Sequence, residues 1–380
     1  MNKGQWLFLP FPGVPYFTTL GYRMDALLTY LRQLFAPRKA GENRPSAQTL
    51  NGADRLLEGL ANANRVPGLS ATVLKDGRPV LQKGYGYAQL EAGRAVNPRT
   101  TLFRVASVSK PIAATALLRM VDEGLIALDE SLYTYVPYFP RKGYDFSIRQ
   151  LASHTAGIRG YRGKEFALDK PYSIREGIQI FGDDPLLFEP GTQYHYNSFD
   201  WALLSLAMEE ACGRPFAEYV ARKVLKPLGM HHTQPELKGE ASRELANFYT
   251  RSGKGYRPAA PVNNAYKLAA GGYLSTSGDI ARLGQAYLDG DIGDPALVAQ
   301  FLSPQVIGGK HTYYGLGWEV SRDKSGRPFY GHTGNSVGAY SKFAVYPETG
   351  VVIAILVNCT HPRLDGAMDQ LADFLHHEAW

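Results

Sequence analysis

Residues 103–112 read FRVASVSKPI, and the apolar run AATALLRMVDEG (residues 113–124) follows directly. Ser107 and Lys110 are three positions apart, so they share one face if this segment is helical. A serine hydroxyl becomes a useful nucleophile when a neighbour accepts its proton, and a lysine can do so once burial lowers its pKa. Taken alone, SVSK also fits an ordinary helix start, because serine caps helices and Pro111 suits a first turn. The rest of the chain must decide between these two interpretations.

Composition places the chain among globular proteins and excludes several function classes. Of its 380 residues, 44% are hydrophobic and 20% are charged, and the formal net charge is +6. The basic residues are scattered, with no run long enough for a nucleic-acid arm, so we expect no nucleic-acid partner. Cys212 and Cys359 belong to no metal-binding pattern. We expect both to be buried apolar residues rather than a disulfide bridge.

Strand patterns occur at both ends of the domain and helical patterns lie between them. The segments LSATVLKDG (residues 69–77) and RPVLQKGYGYA (residues 78–88) predict a hairpin with an Asp-Gly turn. Four later segments predict strands: GLGWEV, RPFYGHTG, AYSKFAVYP and GVVIAILVN. Helices are predicted over residues 50–62, over residues 363–377 and through most of residues 98–266. The sequence therefore predicts an α+β (α/β) fold, with one sheet built from both termini and a mostly helical inserted region.

The N-terminal residues are predicted to form an extension and linker, residues 1–48, before a domain at residues 49–380. The apolar start is broken by three prolines, which fits neither a signal peptide nor a spanning helix well. Residues 20–35 have apolar side chains at helical spacing. We expect this helix to pack on the domain by default; contact with a membrane surface or a partner is the alternative. The compartment, bacterial extracytoplasmic or cytoplasmic, is left open.

Five further segments, which follow SVSK along the chain, help to interpret it. They are SIRQLASHTAGI (residues 147–158), FEPGTQYHYNSFDWALLS (188–205), VLKPLGM (224–230), GGYLSTSGDIARLGQAYL (271–288) and GHTGNSVGAYSKFAVYPETGVVIAILVN (331–358). In this ordered set, from about Leu50 to the C-terminus, the chain resembles the serine beta-lactamase and penicillin-binding-protein family. The resemblance is to its class C and D-alanyl-D-alanine-carboxypeptidase branch, and S-x-x-K is a signature of that family. It implies a beta-lactamase/transpeptidase-like fold with an antiparallel sheet.

The resemblance also implies roles for the first two motifs. Ser107 would be the nucleophile and Lys110 its base. Tyr196 would share the proton transfer, and a phenol near an ammonium group can have a lowered pKa. Where the family often has asparagine two places after this tyrosine, the chain has Ser198, whose hydroxyl reaches less far. This difference favours esterase-like or peptidase-like members over efficient recognition of beta-lactams.

The third motif is His332-Thr333-Gly334. His332 would supply positive charge, a neutral hydrogen bond or a proton, depending on its pKa. Thr333 would bind a substrate carboxylate, and Gly334 would let the substrate backbone approach the strand. By analogy, the backbone N–H groups of Ser107 and Asn335 would form the oxyanion hole.

Three other groups are assigned no catalytic role. His154 is expected to be structural, and Glu165, Asp183 and Asp184 are expected to be solvated in a loop. The adjacent histidine pairs at 231–232 and 376–377 are not expected to bind metal, because sequence neighbours seldom face one site.

The sequence thus predicts a serine hydrolase that uses a Ser107 acyl-enzyme on an ester or a peptide or amide bond of a small-molecule substrate. No metal or organic cofactor is required. The alternatives within the enzyme class are a beta-lactamase and a D-alanyl-D-alanine carboxypeptidase. The alternative of another class is a binding or assembly module with a vestigial site, which the altered Ser198 position and the N-terminal extension favour.

Overall fold

A seven-stranded antiparallel sheet joins the two ends of the domain. The structure is a computed structural model that describes residues 47–237 and 243–376. In chain order the strands are β1 (Gly68–Lys75), β2 (Arg78–Gln89), β3 (Arg94–Ala95), β4 (Phe103–Arg104), β5 (Gln234–Pro235), β6 (Tyr249–Ser252), β7 (Gly255–Pro258), β8 (Tyr273–Ser275), β9 (Val306–Ile307), β10 (Lys310–His311), β11 (Glu319–Arg322), β12 (Pro328–Ser336), β13 (Ala339–Tyr346) and β14 (Val351–Val357). The large sheet has the order β11-β12-β13-β14-β1-β2-β3, so its N-terminal and C-terminal strands meet where β1 pairs with β14.

The junction between β1 and β14 lies in the centre of the sheet and of the core. The register pairs Leu69 with Val357 and Lys75 with Val351. All seven residues of β14, VVIAILV, are buried, which is the pattern of a strand covered on both faces. The predicted hairpin is confirmed: β1 and β2 pair around Asp76 and Gly77, which both have positive φ, as a two-residue hairpin turn requires.

Helices cover both faces of the sheet and make up most of the chain between its N-terminal and C-terminal strands. In chain order they are α1 (Ala47–Asn62), α2 (Ser109–Asp122), α3 (Leu132–Tyr135), α4 (Ile148–Ala152), α5 (Ile174–Gly177), α6 (Phe199–Cys212), α7 (Phe216–Val220), α8 (Leu268–Gly271), α9 (Ser277–Asp289), α10 (Pro295–Phe301) and α11 (Asp365–Phe374). Helices α1 and α11 pack together on one face and α9 packs on the other. The predicted fold class, with its helical insertion, is confirmed.

Helix α2 is the centre of the helical region. Eleven of its fourteen residues are buried, including the polar Ser109 and Lys110 of its first turn. A helix that is buried on all sides packs against neighbours in every direction, and α2 meets α6, α7, α8 and α10. The Lys110 ammonium group in the first turn is therefore removed from water, and this desolvation matters for the site described below.

Several local predictions need correction. The GLGWEV segment becomes a strand only at Glu319, because Gly317 has a φ of +82° and packs too closely on Ala114 and Trp201 for a side chain. The last helix spans Asp365–Phe374 rather than residues 363–377. Both thiols are free as expected, but Cys212 is only half-buried.

The amphipathic segment at residues 20–35 lies outside the described residues. Within the described ranges, no helix is both long enough and apolar enough to cross a membrane.

Candidate active site

Ser107 lies in a single turn of 3₁₀-helix, Ala106–Val108, directly before α2. The backbone of this turn is strained, because Ala106 has a φ of +48°, and such a residue costs of order 1–3 kcal/mol. Neighbouring elements hold Val105 on both sides: its N–H donates to the Tyr273 carbonyl at 3.1 Å, and its carbonyl accepts from Ser341 Oγ at 2.7 Å. The surrounding fold thus fixes the position of Ser107, which is half-buried.

Lys110 is completely buried in this site. Its side chain is inaccessible to solvent, and Nζ lies 3.3 Å from Ser107 Oγ, 2.7 Å from Tyr196 Oη and 3.1 Å from the Ala270 carbonyl. Desolvation lowers the pKa of Lys110 to about 7, although the charges of Asp200 and Glu319 oppose this shift. A substantial fraction of Lys110 is therefore the neutral amine, and hence a base, at neutral pH.

The second serine of the motif has a different task. Ser109 Oγ accepts the Tyr273 N–H at 3.2 Å and is fully buried. It therefore faces away from Lys110, as expected from the helical spacing. Only Ser107 of the two serines is within hydrogen-bond distance of the lysine.

Tyr196, in the loop before α6, contacts both Ser107 and Lys110. Its hydroxyl donates to Ser107 Oγ at 2.9 Å. Tyr196 is 39% exposed, but its hydroxyl lies beside Lys110. The expected lowering of the pKa of Tyr196 is wrong: desolvation raises it well above its ordinary value, and the hydrogen bond to Ser107 opposes this only in part. Tyr196 is therefore a neutral phenol, within hydrogen-bond distance of both Ser107 Oγ and Lys110 Nζ.

A buried pair, His154 and Asp200, lies beneath Tyr196. The His154 ring is 4.5 Å from the Tyr196 ring, and its Nδ1 lies 2.8 Å from Asp200 Oδ2. Asn197 Nδ2 donates to the same oxygen at 2.6 Å. Burial lowers the pKa of His154 and raises that of Asp200. His154 has the structural location expected of it, under the wall of the site rather than against Ser107.

His332 lies on β12 but behind Tyr314. Its Nδ1 donates to the Thr333 carbonyl at 2.8 Å, so Nε2 accepts the Tyr314 hydroxyl at 3.0 Å. Burial lowers the pKa of His332 to about 4, against the opposing charge of Glu319. The imidazole is therefore neutral at pH 7. Of the three roles considered for it, positive charge, proton donation and a neutral hydrogen bond, only the neutral hydrogen bond fits this state. Within the described chain it forms no hydrogen bond to Ser107 or Lys110.

Gly334 is needed for packing. A Cβ atom there would lie 2.6 Å from the Val105 carbonyl oxygen and 2.2 Å from Ser341 Oγ. The glycine thus lets β12 approach the turn that holds Ser107. This gives it a physical role other than the predicted approach of substrate backbone.

Asn335 directs its backbone N–H to the open edge of β12. The Thr333 N–H donates to Glu319 Oε1 at 3.0 Å and so points away from β13. N–H groups of alternate residues in a strand point to the same edge, so the N–H of Asn335 points the same way. No acceptor for the N–H of Ser107 is found in the described part of the chain. Both predicted oxyanion donors are therefore free to bind a ligand.

Ser198 stands directly before α6 and is half-buried. Its hydroxyl neither caps the helix nor forms a side-chain hydrogen bond within residues 47–237 and 243–376. Asn197 instead points inward to Asp200. The structure thus leaves Ser198 with a free hydroxyl and gives the neighbouring asparagine a structural role.

Sequence reasoning missed three residues of the site: Tyr314, Glu319 and Lys342. Lys342 Nζ donates to Thr333 Oγ1 at 3.1 Å, and Glu319 Oε2 lies 3.4 Å from the same hydroxyl. A lysine inside the apolar strand segment AYSKFAVYP was the available signal for Lys342. Tyr314 and Glu319 gave none, since the chain has 24 tyrosines and Glu319 is one acid in a strand pattern.

The expectation that the loop acids are solvated is wrong for two of the three. Glu165 and Asp184 bind the buried Arg159 at 2.6 and 2.7 Å, and only Asp183 is exposed. As for metals, no three acidic, histidine or cysteine side chains are grouped as ligands anywhere in residues 47–237 and 243–376.

The fold and the order of the motifs define a protein of the serine beta-lactamase and penicillin-binding-protein class. A family model described as Beta-lactamase matches residues 53–378, and the chain belongs to this family. The serine beta-lactamase-like protein LACTB, mitochondrial, of Homo sapiens is 26% identical over 440 aligned residues, which cover 87% of this chain and 80% of LACTB.

Two solved structures show the same fold. D-amino acid amidase from Ochrobactrum anthropi SV3 has a TM-score of 0.77 at 21% identity, covering 86% of this chain and 99% of the amidase. EstCE1, a hydrolase with promiscuous acyltransferase activity, has a TM-score of 0.75 at 20% identity. The alignment covers 86% of this chain and 98% of EstCE1. The family is thus one of serine hydrolases whose structural neighbours include an amidase.

Proposed function

We propose that the chain is a serine hydrolase that acts by acyl transfer, through a Ser107 acyl-enzyme, on an ester or a peptide or amide bond. The observation that supports this most directly is the contact of Ser107 Oγ with both a lysine of pKa about 7 and a neutral tyrosine hydroxyl. A serine needs a base in contact with it to become a nucleophile, and a lysine serves only in its neutral form.

Acylation begins with a proton relay. The contacts from Ser107 to Tyr196 and from Tyr196 to Lys110, at 2.9 and 2.7 Å, are shorter than the direct contact of 3.3 Å. With Lys110 neutral, the Tyr196 hydroxyl turns to donate to Lys110 Nζ and accepts from Ser107 Oγ. The Ser107 proton then passes to the Tyr196 oxygen while the Tyr196 proton passes to Nζ. Oγ attacks the carbonyl carbon as it loses its proton, and the carbonyl oxygen becomes an oxyanion. The backbone N–H groups of Ser107 and Asn335 bind that oxyanion.

The same relay in reverse completes the reaction. When the tetrahedral intermediate collapses, Tyr196 protonates the departing oxygen or nitrogen and takes a proton back from Lys110. The acyl group is then esterified to Oγ, and Lys110 is again neutral. A water molecule loses its proton through Tyr196 to Lys110, attacks the ester, and releases the acid as Oγ recovers its proton.

The experiment is a comparison of wild type with Ser107→Ala on three substrates: p-nitrophenyl butyrate, nitrocefin and a D-alanyl-D-alanine peptide. The proposal expects ester hydrolysis by wild type and a loss of at least about 10³-fold in kcat/KM in the variant. Unchanged thermal unfolding would show that the variant is folded. Rapid turnover of nitrocefin or the peptide without ester cleavage would instead support the beta-lactamase or carboxypeptidase alternative. No Ser107-dependent turnover of any of the three would favour a binding module.

A further inference from the structure

The open edge of β12 next to Ser107 is occupied by a carboxylate of the chain itself. Glu319 Oε1 accepts the Thr333 N–H at 3.0 Å, and Oε2 lies 3.4 Å from Thr333 Oγ1. Thr333 thus offers a backbone N–H and a hydroxyl to one carboxylate, which is a geometry suited to binding an anion. The Glu319 side chain is 30% exposed, so its outer side faces solvent.

The sheet explains how Glu319 reaches this position. Strand β11 begins at Glu319, which pairs with Gly331 as the last residue of the β11–β12 ladder. Beyond that pair, no strand of the described chain pairs with β12 on this side, and the N–H groups of Thr333 and Asn335 point to the open edge. The Glu319 side chain extends along that edge and takes the first of these two donors. The second, on Asn335, is left for the oxyanion.

The edge of β12 is close to the nucleophile. Gly334, the residue after Thr333, packs against the carbonyl of Val105 and the methyl group of Ala106, and Ala106 directly precedes Ser107. The charge of Glu319 also acts on Lys110, whose pKa it raises against the effect of burial. Substrate groups beside the scissile carbonyl therefore experience the Glu319 charge.

The carboxylate of Glu319 is not neutralised by a direct ion pair with lysine or arginine. Within the described residues its only ion-pair neighbour is His332 Nδ1 at 3.5 Å, and His332 is neutral at pH 7. Lys342 reaches Thr333 Oγ1, and no contact within 4 Å joins it to Glu319. A substrate carboxylate entering this position would meet a like charge and would have to displace Glu319 from Thr333, whereas an ammonium group would meet an opposite charge.

We propose that Glu319 is a specificity-determining residue that excludes acyl donors with a carboxylate at the Thr333 edge and admits neutral or ammonium-bearing esters and amides. The proposal rests on the Ser107 acyl-transfer function proposed above, which it deepens by naming the substrate class.

The test compares matched esters in wild type and Glu319→Gln, which keeps the size of the side chain and removes its charge. One series varies the acyl group, with the p-nitrophenyl esters of hexanoate and hydrogen adipate. The other varies the leaving group, with phenyl, para-carboxyphenyl and para-(aminomethyl)phenyl butyrate. In at least one series we expect Glu319→Gln to raise the carboxylate-to-neutral ratio of kcat/KM by about ten-fold or more, since one removed charge contact of 1.4 kcal/mol gives that factor.

Two further variants test whether the direction of the change in the carboxylate-to-neutral ratio depends on charge at this position. Lys342→Met should change the same ratio in the opposite direction, because it removes the nearby cation. Glu348→Gln is the matched control, since Glu348 is exposed in the turn between β13 and β14, and it should leave both ratios unchanged. Unchanged ratios for Glu319→Gln in both series, or equal changes in Glu348→Gln, would overturn the proposal.

A binding measurement separates this proposal from the proposed function. In a Ser107→Ala background no acyl-enzyme forms, so isothermal titration reports binding of the intact esters alone. Glu319→Gln in that background should tighten binding of the carboxylate esters relative to the neutral ones. If wild type hydrolyses none of the esters, the acyl-transfer function fails, while this ratio of affinities still decides the role of Glu319. An unchanged ratio overturns the role of Glu319 whatever the turnover.

Discussion

Arg159 and Lys110 are both buried cations in the helical region, and the fold surrounds them with different partners. Arg159 donates to Asp184 at 2.7 Å, to Glu165 at 2.6 Å, and to two backbone carbonyls. Burial opposes its charge, but these carboxylates outweigh that effect and raise the pKa of Arg159. Lys110 contacts a serine, a tyrosine and a carbonyl, and no carboxylate within the described chain lies in contact with it.

The difference shows how one chain makes a structural cation and a base. A buried charge is stable when carboxylates pair with it, and it shifts toward neutrality when they do not. Asp200 and Glu319 are near enough to Lys110 to oppose its desolvation, yet they leave its pKa at about 7. The lysine can therefore exchange a proton at physiological pH, whereas the arginine cannot.

Replacing Lys110 and Arg159 in turn with methionine is the strongest test of this difference between a base and a structural cation. Lys110→Met should lower kcat/KM for a Ser107-dependent ester by about 10²–10⁴-fold, because it removes the general base. The free energy of unfolding of Lys110→Met should differ from that of wild type by less than about 1 kcal/mol. The reason is that an apolar side chain replaces a buried cation that has no carboxylate partner. The measurements are steady-state kinetics and urea unfolding.

Arg159→Met should have the opposite pattern: a large loss of stability and a small loss of activity. It leaves Glu165 and Asp184 without their partner, so we expect a loss of about 2–4 kcal/mol in the free energy of unfolding, reduced from the fully buried case because both acids are partly exposed. The folded fraction should retain a far larger share of wild-type kcat/KM than Lys110→Met. The comparison fails if Lys110→Met is the less stable of the two.

Tyr196→Phe sharpens the account of how Lys110 receives the proton. Loss of the hydroxyl removes the relay but leaves Lys110 at 3.3 Å from Ser107 as a direct base. We therefore expect kcat to fall by about 10²-fold, at the lower end of acid–base contributions, with a smaller change in KM. Tyr194→Phe is the control, because Tyr194 packs beside His154 and Tyr314 without a contact to Ser107. A similar fall in both variants would contradict the relay.

His332→Gln should have the smallest effect. His332 has a pKa of about 4, so it is neutral across the neutral range and cannot be the group whose titration switches activity on. The variant should keep the midpoint of the rising limb of kcat/KM against pH near 7. A shift of that midpoint by more than about one pH unit would assign the limb to His332 instead.

Much of this site could be predicted, because the chemistry-bearing residues lie in short motifs. Ser107 and Lys110 share a helix face through local spacing alone. Tyr196 needed the order of motifs, since nothing local separates it from other tyrosines. The pKa shifts of Tyr196 and His332 could not be predicted, because desolvation depends on what packs around each group. The same is true of Glu319, which reaches Thr333 through the register of β11 against β12.

The most direct test of the central claim is the rate at which a fluorophosphonate labels Ser107 as a function of pH, with the labelled residue identified by peptide mass spectrometry. Below its pKa Lys110 holds its proton and cannot accept another, so the rate should rise through a midpoint near pH 7 and reach a plateau above it. Lys110→Arg, which keeps the charge but cannot lose its proton, should abolish labelling at every pH. Labelling of Ser107 that is independent of pH, or equal in Lys110→Arg, would contradict the account.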